Sequence, residues 1–110
     1  MSRGRHTSAV LAAGIAIAAL AASAHAQEPA VRGRALLKDN CAACHAIDRL
    51  DRSARPAAPP FRVLGESFDL DQFARRLRQG LASSHPDMPE FRFSADDADA
   101  VVAYLRTIQQ

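Results

Sequence analysis

Cys41-Ala42-Ala43-Cys44-His45 contains the only two cysteines of the 110-residue chain, three positions apart and followed directly by a histidine. On a helical turn, residues i and i+3 point the same way. Two sulfurs so placed can form thioethers with the two vinyl groups on one edge of a haem. The histidine that follows can then bring its imidazole under the ring to the iron. This C-x-x-C-H spacing is that of c-type haem attachment, and the small Ala42 and Ala43 leave room for a porphyrin to lie close to the backbone. Two rival chemistries use the same residues. A redox disulfide of the thioredoxin kind would need a strand before the motif and a β-α-β frame around it, and neither is visible. A closed zinc site would need a further ligand beyond two cysteines and one histidine. The expected cofactor is one covalent haem c per chain, with Cys41 and Cys44 binding it and His45 ligating the iron.

A second iron ligand is expected from Ser83-Ser84-His85-Pro86-Asp87-Met88-Pro89-Glu90. Met88 is the only methionine apart from Met1, and it lies in a polar loop flanked by Pro86 and Pro89 rather than on an apolar stripe. Methionine more often fills gaps in a core, but a thioether in this setting is suited to a fixed pose. His85 is the alternative ligand, and an open position is the third reading. Histidine plus methionine would favour a raised reduction potential.

Helices must carry these residues, because no stretch alternates convincingly as a strand would. A first helix is expected from near Pro29, which suits a first-turn position, with Gly33, Leu36, Leu37 and Cys41 on one side. An irregular stretch follows from about Ile47 to Ser67, with Pro56, Pro59, Pro60 and Gly65. A loop of that length inside a compact domain should wrap something or act functionally. A second helix opens on Asp69 with Gln72 three residues on, carries the stripe Leu70, Phe73, Ala74 and Leu77, and stops at Gly80. A last helix is capped at Ser94 and buries Ala98, Val101, Val102, Leu105 and Ile108. The expected fold class is all-α.

The first residues read as an address. Arg3 and Arg5 precede an apolar run from Ala9 to Ala22, and Ala24-His25-Ala26 is a small-x-small cleavage site. The run is short of the roughly 20 residues of a membrane span. The expected organisation is therefore a signal peptide over 1–26 and one domain over 27–110, where 110 less 26 leaves 84 residues. Of the 14 Lys plus Arg, two leave with the signal, so 12 face 12 Asp plus Glu. That balance offers no basic surface for nucleic acid. A domain this small, without tryptophan, needs support beyond its side-chain core.

These residues resemble the class I cytochromes c over nearly all of 27–110. The likeness lies in Gly33 and Leu37 ahead of the haem motif, the motif itself, Ala58-Pro59-Pro60-Phe61, the Met88 loop, and a closing helix with Ala103-Tyr104-Leu105. The resemblance implies a cytochrome c-like fold of about three to four helices wrapped around one covalent haem. It implies that the first and last helices cross at Gly33, which lacks a Cβ, with Tyr104 and Val101 filling the contact against Leu37. It also implies that the Pro59 carbonyl accepts the second imidazole N–H of His45. Two departures stand out: Ala58 occupies a position often held by glycine, and no tryptophan exists to bond a propionate. Arg55 and Arg62 are the candidates for that role.

The function expected is periplasmic electron transfer by an electron carrier, not an enzyme, since no general base, nucleophile or substrate pocket is recognisable. Its partners would be redox proteins of unspecified identity, and the chain would act as a monomer or within a redox complex. Three alternatives remain: a fixed relay subunit of a larger oxidoreductase, a ligand sensor or peroxidase-like protein with an open axial site, and a thiol–disulfide protein.

Overall fold

The computed structural model describes residues 28–110, so the signal peptide expected over 1–26 lies outside the described residues. Four helices are found there and no strand: α1 over 28–40, a 3-10 helix Phe61–Glu66, α2 Leu70–Gln79 and α3 Ala95–Ile108. None of them is long and apolar enough to cross a membrane.

Local signals set the two later helices. The Asp69 carboxylate accepts from the Gln72 N–H at 2.9 Å and opens α2. Gly80 ends it at φ +113°, a backbone conformation that disfavours any side chain. Ser94 Oγ accepts from the Asp97 N–H at 3.2 Å, and Asp96 and Asp97 place negative charge on the positive end of α3. The apolar stripes meet as written. Phe73, Ala74 and Leu77 of α2 share one core with Ala98, Val101, Val102, Leu105 and Ile108 of α3, joined by Leu37 of α1.

Gly33 sits where α1 crosses α3. A Cβ built on it would lie 1.9 Å from the Ala100 carbonyl oxygen and 2.9 Å from the Val101 nitrogen. The two backbones are therefore in direct contact, and only glycine permits that approach.

The stretch expected to be irregular to Ser67 is more ordered than its prolines indicate. Pro60, extended at φ −68° and ψ 139°, starts the 3-10 helix, which buries Phe61 and Leu64. A short i→i+3 helix of this kind has too short a period to stand out in a hydrophobic pattern. The part before it folds back on the haem motif. The Asp51 carboxylate accepts from the N–H groups of Ile47 and Asp48, both at 3.0 Å. Ser53 Oγ takes the Ala46 N–H, and the Cys44 carbonyl takes that of Arg55. Chain that leaves a helix needs such partners for its backbone groups.

Tyr104 of α3 holds this segment from beneath. Its buried hydroxyl lies 2.8 Å from the Ile47 carbonyl and also faces Asp48, which the Arg34 guanidinium grips through two hydrogen bonds of 2.8 and 2.7 Å. Arg34 chiefly, then Tyr104, holds the Asp48 carboxyl below the usual carboxylate range. Burial, then the bond to Asp48, pushes the Tyr104 phenol up to about 12. The folded state thus favours the neutral phenol. The stabilisation it brings is present below the ordinary value near ~10 and is lost as pH rises through about 12. Tyr104→Phe should cost about 0.5–1.5 kcal/mol of unfolding free energy at pH 7, the net worth of a typical hydrogen bond. Because Tyr104 is the one tyrosine of the chain, the phenolate band in an ultraviolet difference titration has no second tyrosine beneath it. A midpoint at the ordinary phenol value would contradict the bonding described here.

Candidate functional site

The end of α1 delivers both cysteines to one place. Helical bonding continues through the motif: the Cys41 N–H bonds the Leu37 carbonyl at 2.8 Å, and the Cys44 and His45 N–H groups bond the Cys41 carbonyl at 3.1 and 2.9 Å. Cys41, Cys44 and His45 line a single cleft, with Ala43 between them. Ala57, Ala58 and Pro59 also line it, as do His85, Met88 and Pro89 of the 82–90 loop. The lining is mostly apolar around a cavity of about 210 Å³.

His45 is oriented from two sides. Its Nδ1 lies 2.8 Å from the Pro59 carbonyl. A carbonyl can only accept, so Nδ1 carries the proton and Nε2 is the nitrogen left for a metal. The Phe61 ring stacks on the imidazole, with centroids 4.7 Å apart and planes 26° from parallel. Phe61 is itself held by its N–H bond to the Ala46 carbonyl at 2.9 Å and by edge contact with Phe73. Reading residue types alone assigned Phe61 no task of its own. The available signal was its place two residues beyond Pro59, which becomes adjacency to His45 once the Pro59 carbonyl meets the ring.

The two cysteines are unbonded to each other and half-buried. Burial pushes the Cys41 thiol up to about 11. Nucleophilic and redox-active thiols show the opposite, a lowered value in an electropositive, accessible setting. Burial gives Cys41 the reverse setting.

The 82–90 loop is pinched at its base by the mutual bonds of Leu81 and Phe91, at 2.7 and 3.0 Å. Within it, the Met88 N–H bonds the His85 carbonyl at 3.2 Å, and His85 Nδ1 accepts from the Asp87 N–H at 3.3 Å. Both residues weighed as second iron ligand face the cleft. Met88 is half-buried there, whereas His85 is exposed, and because its Nδ1 accepts, its Nε2 carries the proton of the neutral ring.

Of the two arginines considered for a propionate, only Arg55 reaches the cleft. It pairs with Asp87 at 2.8 Å, and the guanidinium holds that carboxyl below its usual range. Arg62 is not among the cleft-lining residues. Its Nη1 instead donates to the Asp51 carbonyl at 2.8 Å, bracing the loop behind the site.

A c-type haem needs two thiols on one side of an apolar slot, an imidazole with one free nitrogen, and room between walls without buried charge. This cleft supplies those features. The family model for cytochrome c matches residues 30–109. The chain belongs to the cytochrome c family, haem-binding proteins of electron transfer. No curated protein and no solved structure gives a significant match.

Proposed function

We propose that this protein is a periplasmic electron carrier whose one haem c is held by Cys41 and Cys44, with His45 and Met88 as axial ligands. The observation that carries this reading is the gathering of all four side chains on one apolar cleft, with His45 Nδ1 committed to the Pro59 carbonyl. When bound, the haem supplies an iron that alternates between ferrous and ferric states and so accepts and releases one electron. The chain's own residues do the rest. Cys41 and Cys44 keep the cofactor on a small protein. The Pro59 carbonyl fixes the His45 tautomer and raises the basicity of Nε2, and Phe61 restricts rotation of the ring. Met88, brought in by its loop, would be the second residue to hold the iron, which would leave no vacancy for a substrate and make the protein a carrier rather than an enzyme. A largely apolar lining around the iron would disfavour the more charged, oxidised state. Export to the periplasm is read from residues 1–26.

Met88→Ala and His85→Ala decide the ligand. The methionine change should lower the reduction potential by on the order of 0.1 V, within the ~0.8 V over which axial ligands set haem potentials. It should also erase the weak sulfur-to-iron charge-transfer band and let carbon monoxide bind the reduced protein. The histidine change should leave all three near wild type. The opposite pattern would make His85 the ligand.

A further inference from the structure

The Met88 loop is held shut by a single polar tie to the rest of the chain. Among the described residues, the hydrogen bonds made by 82–90 run within the loop, with one exception: Arg55 Nη1 to Asp87 Oδ2 at 2.8 Å. Arg55 stands on the opposite wall. Its own N–H is bonded to the Cys44 carbonyl at 3.2 Å, which anchors it to the cysteine side of the cleft. Asp87 precedes Met88 directly. The pair thus spans the mouth of the cleft, from the segment that carries the haem-binding cysteine to the residue beside the proposed ligand.

We infer that Arg55 and Asp87 form a clasp that keeps the Met88 loop closed over the cleft, both acting as positioning residues. The consequence for the iron rests on Met88 being its ligand. The base of the loop is fixed by Leu81 and Phe91, so opening would swing the tip on that hinge. Breaking the ion pair removes the tie that opposes the swing. Both side chains are exposed, so their contribution is small and sensitive to salt. A small effect on closure is still directly visible in how often the axial position is vacated.

Arg55→Gln, Asp87→Asn and the charge-exchanged double variant Arg55→Asp/Asp87→Arg would be compared as holoproteins. Imidazole binding to the oxidised protein should quicken about two- to five-fold in each single variant and return toward wild type in the exchanged pair. High salt should quicken wild type but not the single variants. Hydrogen exchange of the Asp87 and Met88 amides should rise in the same variants. That second readout is independent of ligation, so it separates the two ideas. If Met88→Ala leaves imidazole binding unchanged while loop exchange still follows the ion pair, the clasp stands and the ligand reading fails. Unchanged imidazole binding and exchange in both single variants would overturn the clasp. So would a response in Arg55→Gln alone, which would assign Arg55 to a propionate instead.

Discussion

Cys41→Ala/Cys44→Ala is expected to carry no covalently attached haem and to lose its cooperative fold with it. Each thioether forms by addition of a thiol across a vinyl group, so a site without either sulfur has no bond to make. The two thiols share one cleft with His45. A single change should therefore leave one attachment point and give reduced or altered haem staining of the denatured protein. The double change should give none. Full covalent haem in the double variant would end the haem c reading. The effect on folding follows from what the cleft is. Its walls are mostly apolar side chains lining an open cleft of about 210 Å³. In a domain of this size, core burial barely offsets the conformational entropy of ordering the chain. The cofactor would supply the missing buried surface. Haem-free protein should exchange its amides rapidly and melt without a sharp transition. A well-protected, cooperative haem-free form would show that the helices stand alone.

What the sequence made legible was local. The caps at Asp69 and Ser94, the stop at Gly80 and the stripes of α2 and α3 depend on residues three or four apart, and the structure places them as read. The C-x-x-C-H spacing is equally local, because the chemistry of one haem edge is written within five residues. The contacts that escaped were those closed over long separations. Tyr104 reaches Ile47 and Asp48 across more than fifty residues. The imidazole and phenyl rings of His45 and Phe61 meet only because an irregular segment folds back by bonding the Ala46 carbonyl. The choice between Arg55 and Arg62 turned on loop geometry that no periodicity encodes. Proline content misled in the same segment. Pro60 marks chain that is extended, and it also starts the 3-10 helix that carries Phe61 into the core.

Gly33→Val is expected to cost the fold more than any substitution at Gly80. The two glycines do different work. At Gly80 the demand is conformational: φ is +113°, and an added Cβ would meet the Glu90 carboxylate at 2.4 Å. The carboxylate is the far end of a flexible side chain and can turn away, so Gly80→Ala mainly incurs backbone strain of about 1–3 kcal/mol, which fraying at the end of α2 can relieve. At Gly33 the obstacle is the backbone of α3 itself, with the Ala100 carbonyl oxygen 1.9 Å from the Cβ position. Nothing there can rotate aside. α1 must move off α3, which opens the contact between Leu37 and the Val101 and Leu105 region of the core and shifts the helix end that presents Cys41 and Cys44. Overpacking usually costs about 1–3 kcal/mol and occasionally more. A backbone collision at a helix crossing belongs at or above the top of that range. Denaturant unfolding of the holoproteins should rank Gly33→Val as most destabilising, then Gly33→Ala, then Gly80→Ala. If Gly33→Ala proved as stable as wild type, the close crossing of α1 and α3 would be wrong.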